Sequence, residues 1–138
     1  MNSRISEAIE RHNKGYNCAQ AVACTYCDLA GFDEDCVFCM TEGFGAGMGG
    51  MEATCGALSG AVTLAGLKNS GGMDCSPRTK GGTYKISKEM TKRFREACGA
   101  LSCRELKGVD TGCPLHSCEE CIKDAARIVE DLLFSETE

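Results

Sequence analysis

Apolar positions along the chain recur with the 3.6-residue period of an α-helix almost throughout, and no stretch alternates in the way a half-buried strand requires. Ser3 to Arg11 puts Ile5, Ala8 and Ile9 on one face, and the run from Asn13 to Gly15 is a natural C-terminal stop. Asn17 is placed to cap a second helix that begins at Cys18, carries Ala21, Val22, Thr25 and Leu29 at helical spacing, and closes at Gly31. Asp33 opens a short helix through Cys39. Gly43 to Gly50 then reads GFGAGMGG, too rich in glycine for a helix interior.

Thr54 is positioned to cap the next helix, CGALSGAVTLAGL. That segment is apolar nearly all round, which predicts a central place, and Gly56, Ala57, Gly60 and Ala61 allow a neighbouring backbone to approach closely. A long loop from Lys68 to Gly82 leads to an amphipathic helix over Thr83 to Cys98, with Ile86, Met90, Phe94 and Ala97 on its apolar face. Cys103 to Leu106 forms a short helical turn, Gly108 to Ser117 a loop, and Cys118 to Phe134 a last helix packing Ile122, Ala125, Ala126, Val129, Leu132 and Leu133. The expected fold is all-α, a compact bundle of about five to seven helices with a Gly-rich loop before a central apolar helix. Residues 1–138 make one domain, since a chain of this length builds a single hydrophobic core.

Composition changes the picture in one respect. Twelve cysteines in 138 residues is a density typical of disulfide-stapled secreted scaffolds. Yet Met1 to Gly15 holds Arg4, Glu7, Glu10, Arg11 and Lys14 with no apolar core of an export signal, and no run of about eighteen apolar residues could span a membrane. The expectation is a cytoplasmic protein whose thiols are kept for chemistry rather than for staples. A net charge of -5 argues against a nucleic-acid partner, and the basic residues of the 83–98 helix read as a solvated face.

Cys-x-x-Cys pairs occur at Cys24 and Cys27, Cys36 and Cys39, and Cys118 and Cys121. Two thiolates three residues apart can share a metal ion or close a redox disulfide. The first two pairs together offer four ligands, enough for zinc or an iron-sulfur centre, although both fall on predicted helices where a small buried thiol is ordinary packing. Cys113, Cys118 and Cys121 form a second group of the same kind. His116 stands between Cys113 and Cys118, where it could supply one nitrogen ligand or assist a thiolate but reads first as a lone loop histidine, and His12 reads as an exposed helix residue. No Cys-x-x-Cys-His run indicates covalent haem, and no Walker lysine or preceding strand accompanies the Gly-rich segment. Backbone N–H groups feeding a helix start at Cys55 predict a lowered thiol pKa there, which makes Cys55 the candidate nucleophile. Met48 and Met51 read as packing residues.

The tracts NCAQAV around Cys18, GFGAGMGGMEATCGALSGAVTLAGL around Cys55, SCRELKGVD around Cys103 and CEECIKDAARIVEDLL from Cys118 resemble the C_GCAxxG_C_C family, whose name records a suspected redox role. The resemblance spans nearly the whole chain. It implies that Cys18, Cys55, Cys103 and Cys118 are the characteristic cysteines, with Gly56, Ala57 and Gly60 as motif positions shaping the site. Similarity to the cysteine domain of split-Soret cytochromes implies an iron-sulfur cluster. The chain departs from the pattern by carrying eight further cysteines: Cys24, Cys27, Cys36, Cys39, Cys75, Cys98, Cys113 and Cys121.

Three functions follow from these residues. One is electron transfer through a cluster held by the four characteristic cysteines and exchanging electrons with a redox partner protein. Another is thiol-disulfide exchange, with Cys55 attacking and Cys18 or Cys103 resolving. The third is a structural or buffering zinc-thiolate protein built on the Cys-x-x-Cys pairs. The Gly/Ala-rich helix leaves a surface on which a homodimer could form.

Overall fold

Three short polar side chains start three of the helices. Asn17 Oδ1 accepts the Gln20 N–H at 2.9 Å while Gln20 Oε1 accepts the Asn17 N–H at 3.0 Å, a reciprocal capping box. Ser117 and Glu120 repeat it at 3.0 and 3.2 Å, and Ser102 Oγ accepts the Glu105 N–H at 3.1 Å. In the computed structural model, which describes residues 1–135, these caps begin α2 (Cys18–Tyr26), α7 (Cys118–Val129) and α6 (Cys103–Lys107). The other helices are α1 (Ile5–Asn13), α3 (Glu34–Thr41), α4 (Gly56–Asn69) and α5 (Lys80–Cys98). Among the described residues there is no strand, only an isolated antiparallel bridge between Thr54 and Ser102.

The apolar α4 lies at the centre, packed against α2, α5 and α7, and α1 closes over α2 and α7. Ala57, Ala61, Leu64 and Ala65 of α4 are fully buried, facing Val22 of α2, Phe94 of α5 and Ile122 and Val129 of α7 within one core. The all-α bundle around a central apolar helix is therefore as the periodicity predicts. Among the described residues, no helix is long and apolar enough to cross a membrane.

Four local expectations are corrected. Thr54 does not cap α4: it stands opposite Ser102 in the bridge that the Cys55–Leu101 and Cys103–Ala53 backbone bonds make, and Cys55 is the N-cap residue, without a side-chain cap bond. α5 starts three residues before Thr83 and takes Gly81 and Gly82 into its first turn, where the Thr83 N–H bonds to the Thr79 carbonyl at 3.1 Å and Asn69 Nδ2 donates to Thr83 Oγ1 at 2.9 Å. That anchorage to the end of α4 offsets the roughly 1 kcal/mol that each helical glycine costs. α2 stops at Tyr26 and tightens into a 3-10 turn over Cys27–Ala30, which leaves Leu29 exposed. At the C-terminus, α-helical geometry ends at Val129 and widens over Glu130–Phe134. Glu130 Oε2 there accepts the Arg4 N–H at 2.7 Å and the Tyr26 hydroxyl at 2.5 Å, tying the end of the chain to the start of α1.

Candidate functional site

Four helix starts meet at one cavity. Cys18, Cys103 and Cys118 are the first residues of α2, α6 and α7, and Cys55 is the N-cap residue of α4. All four thiols line a cavity of about 180 Å³, together with Cys121, His12, Lys107 and His116. A water molecule's share of the liquid is about 30 Å³, so there is room for a group of several atoms.

The motif glycines explain how the sulfurs come together. A Cβ on Gly60 would stand 2.5 Å from the Ala19 carbonyl oxygen, and one on Gly56 3.2 Å from the Ala19 nitrogen and 3.4 Å from Cys18 Cβ. Only hydrogen at both positions lets α4 lie directly on the start of α2, which brings Cys55 beside Cys18. Backbone bonds join the other two segments: the Cys55 N–H donates to the Leu101 carbonyl at 2.7 Å and the Cys103 N–H to the Ala53 carbonyl at 2.9 Å. Gly47, at φ +58°, folds the Gly-rich loop over Cys103, whose Cβ would lie 2.6 Å from a side chain there. The anion-attracting loop read from the sequence is thus a close-packed wall of the cavity.

Within the cavity the thiols are paired. Cys18 donates to Cys118, so the Cys18 proton is held tightly and Cys118 lies well below the ordinary thiol range, helped by Lys107 and His12 nearby. Lys107 is in turn raised by the Cys118 thiolate. Cys55 donates to Cys121, which together with burial raises Cys55 despite the opposing pull of the Ala57 and Leu58 N–H groups. The lowered pKa expected at Cys55 therefore belongs to Cys118, because a hydrogen-bond donor and a cation outweigh a helix start alone. Cys121 accepts from Cys55, which lowers it, but donation to Cys98 and burial prevail and push it up to about 12. Cys103 is raised by burial. Negative charge on Cys55 and Cys118 raises both Cys18 and Cys103, so ionising all four thiols together calls for positive charge in the cavity.

Metal-free protein should accordingly be alkylated at Cys118 first. At pH 6 an ordinary thiol is only about 0.3 % thiolate, while a strongly depressed one is largely ionised. Peptide mass spectrometry after brief iodoacetamide treatment at pH 6 should find the label at Cys118, with Lys107→Met slowing it. Earlier labelling of the exposed Cys36 or Cys39 would contradict the assignment.

The remaining cysteines lie elsewhere. Cys24 and Cys27 are buried in the core, with sulfurs against the carbonyls of Glu34 and Cys24 at 3.9 and 3.6 Å. Cys36 and Cys39 are exposed on α3, so the two pairs do not assemble into a four-thiolate site. Cys113 is exposed and does not line the cavity, whereas Cys118 and Cys121 do. Cys75 is half-buried in the long loop. A wider depression of about 660 Å³ beside α1 is walled by Arg4, Asp28, Arg11 and Glu34, which pair with one another at 2.7 and 3.1 Å and present no exposed nucleophile.

The sequence alone did not single out His12 and Lys107 as cavity residues, and it ranked a role for His116 second. Lys107 lies four residues after Cys103 on the same helix face, a spacing that could have revealed it. His116 is also no lone loop histidine: its Nε2 lies 2.7 Å from Asp124 Oδ2. With Cys98 these form the one group of three Cys, His, Asp or Glu ligand atoms lying mutually within 4.8 Å among the described residues.

A family description, "Putative redox-active protein (C_GCAxxG_C_C)", matches residues 16–132. No curated protein and no solved structure matches the chain.

Proposed function

We propose that this chain, which belongs to the C_GCAxxG_C_C family of redox-active proteins, is an electron carrier that holds an iron-sulfur cluster on Cys18, Cys55, Cys103 and Cys118. The observation that carries this reading is the convergence of four thiols from four separate helix starts on one cavity. Partial positive charge at the starts of α2, α4 and α7 favours a group that is anionic overall, as a four-thiolate cluster is. Iron supplies the positive charge that four neighbouring thiolates require. A single zinc ion suits the cavity less well. Tetrahedral zinc at about 2.3 Å from each sulfur needs sulfurs roughly 3.8 Å apart, and no three of these thiols lie mutually within 4.8 Å.

The bound cluster supplies one-electron chemistry: one electron arrives from a reduced partner protein and one leaves to an acceptor, with no bond made or broken in the chain. This chain's own residues set the site around it. Lys107, within reach of Cys118, offsets negative charge, and buried Leu106 helps to exclude water.

Thiol-disulfide exchange is favoured by one specific observation, the Cys18–Cys118 pair. The Cys118 thiolate would attack a substrate disulfide, expelling one substrate thiolate and forming a mixed disulfide. Cys18, on losing its proton, would then attack Cys118, releasing the second substrate thiolate and leaving a Cys18–Cys118 disulfide.

Iron and acid-labile sulfide content, with a visible spectrum, should be measured on protein purified without oxygen. Iron and sulfide in comparable amounts, with broad visible absorption that bleaches on reduction, are expected. Colourless, iron-free protein that fails reconstitution and cycles a Cys18–Cys118 disulfide would replace this reading with the exchange chemistry.

A further inference from the structure

We propose that Cys98, His116 and Asp124 form a mononuclear site for a divalent cation of the zinc class, beside the four-cysteine cavity and sharing His116 with its wall. Cys98 is the last residue of α5, His116 lies in the loop before α7, and Asp124 is on α7, so the tertiary fold alone unites them. His116 Nε2 is 2.7 Å and Cys98 Sγ 3.6 Å from the same oxygen, Asp124 Oδ2, and the three ligand atoms lie within 4.8 Å of one another. One thiolate, one imidazole and one carboxylate are the donors that a borderline-soft ion such as Zn²⁺ accepts, and three protein ligands leave a fourth position open.

The geometry around them is already fixed. Arg127 Nη1 donates to Asp124 Oδ1 at 2.9 Å, which leaves Oδ2 as the oxygen offered to a metal. The backbone N–H groups of Leu115 and His116 both donate to the Leu106 carbonyl, at 2.9 and 3.3 Å, and Ser117 caps α7 directly afterwards, so the histidine is held on both sides. Cys98 is 4 % exposed, while the His116 and Asp124 side chains are 19 % and 18 % exposed, so the ion has a path from solvent to a buried sulfur. None of the three ligands is one of the family's four cysteines, so the site does not require the electron-carrier reading.

Zn²⁺ should be titrated into reduced, full-length protein against a competing chelator, and the zinc-edge X-ray absorption of the loaded protein recorded. The expected shell holds one sulfur at about 2.3 Å with nitrogen and oxygen at about 2.0–2.2 Å. Asp124→Asn and His116→Gln should each weaken Zn²⁺ binding at least about tenfold, while Cys103→Ser leaves it unchanged. An all-sulfur shell, no zinc bound, or loss of zinc in Cys103→Ser with retention in Asp124→Asn would each overturn the proposal. The absorption measurement needs no variant, so a misfolded mutant cannot obscure the result.

Discussion

Gly60→Ala is expected to destabilise the protein by about 2 kcal/mol and to strip it of iron, whereas Gly66→Ala on the same helix is expected to stabilise it. The two substitutions add the same methyl group to α4. At Gly60 the new Cβ would lie 2.5 Å from the Ala19 carbonyl oxygen and 3.1 Å from Ala19 Cα, atoms of the α2 backbone that cannot turn aside. Overpacking of this kind costs about 1–3 kcal/mol, more than the gain of up to about 1 kcal/mol from replacing a helical glycine. At Gly66 nothing lies within 4 Å, so only that gain remains. Because α4 must shift away from α2 at Gly60, Cys55 also leaves Cys18, and the cavity loses its four-sulfur geometry. Urea unfolding of both variants, with iron content, checks the prediction. A Gly60→Ala protein as stable as the wild type would refute the close-contact role of the motif glycine.

Cys55→Ser is expected to fold as well as the wild type and yet to lose at least about nine-tenths of its bound iron, since even the partners that orient metal ligands are worth 10–100-fold in affinity. The fold should survive because Cys55 is the N-cap residue of α4 and makes no side-chain cap bond, while serine is among the best N-caps. A serine hydroxyl at this position can accept a first-turn N–H of α4 that Cys55 leaves without a side-chain cap, so thermal stability of the metal-free protein should not fall. Cys36→Ser and Cys39→Ser, on the exposed face of α3, should leave iron unchanged. Iron retained in Cys55→Ser, or lost equally in Cys36→Ser, would remove Cys55 from the ligand set.

Much of this was legible in the chain. Helical periodicity, the capping sequence at Asn17, and an apolar segment with no polar face determine an all-α fold with α4 at its centre, because these are local preferences or consequences of burying one face. The resemblance to a known family singled out Cys18, Cys55, Cys103 and Cys118; the cap at Asn17 put Cys18 at a helix start, whereas the cap expected at Thr54 beside Cys55 does not form. Which sulfurs touch is a different matter, since contacts between residues 37 to 100 positions apart depend on how helices cross. The low pKa falls to Cys118 rather than Cys55 because Cys18 donates to it and Lys107 and His12 face the same cavity. The first two Cys-x-x-Cys pairs are kept apart for the same reason. Their spacing is local, but α3 turns Cys36 and Cys39 outward while α2 and the turn after it bury Cys24 and Cys27. Cys98, His116 and Asp124 share no sequence spacing at all. Only the packing of α5, the preceding loop and α7 brings a thiol, an imidazole and a carboxylate within one ion's reach.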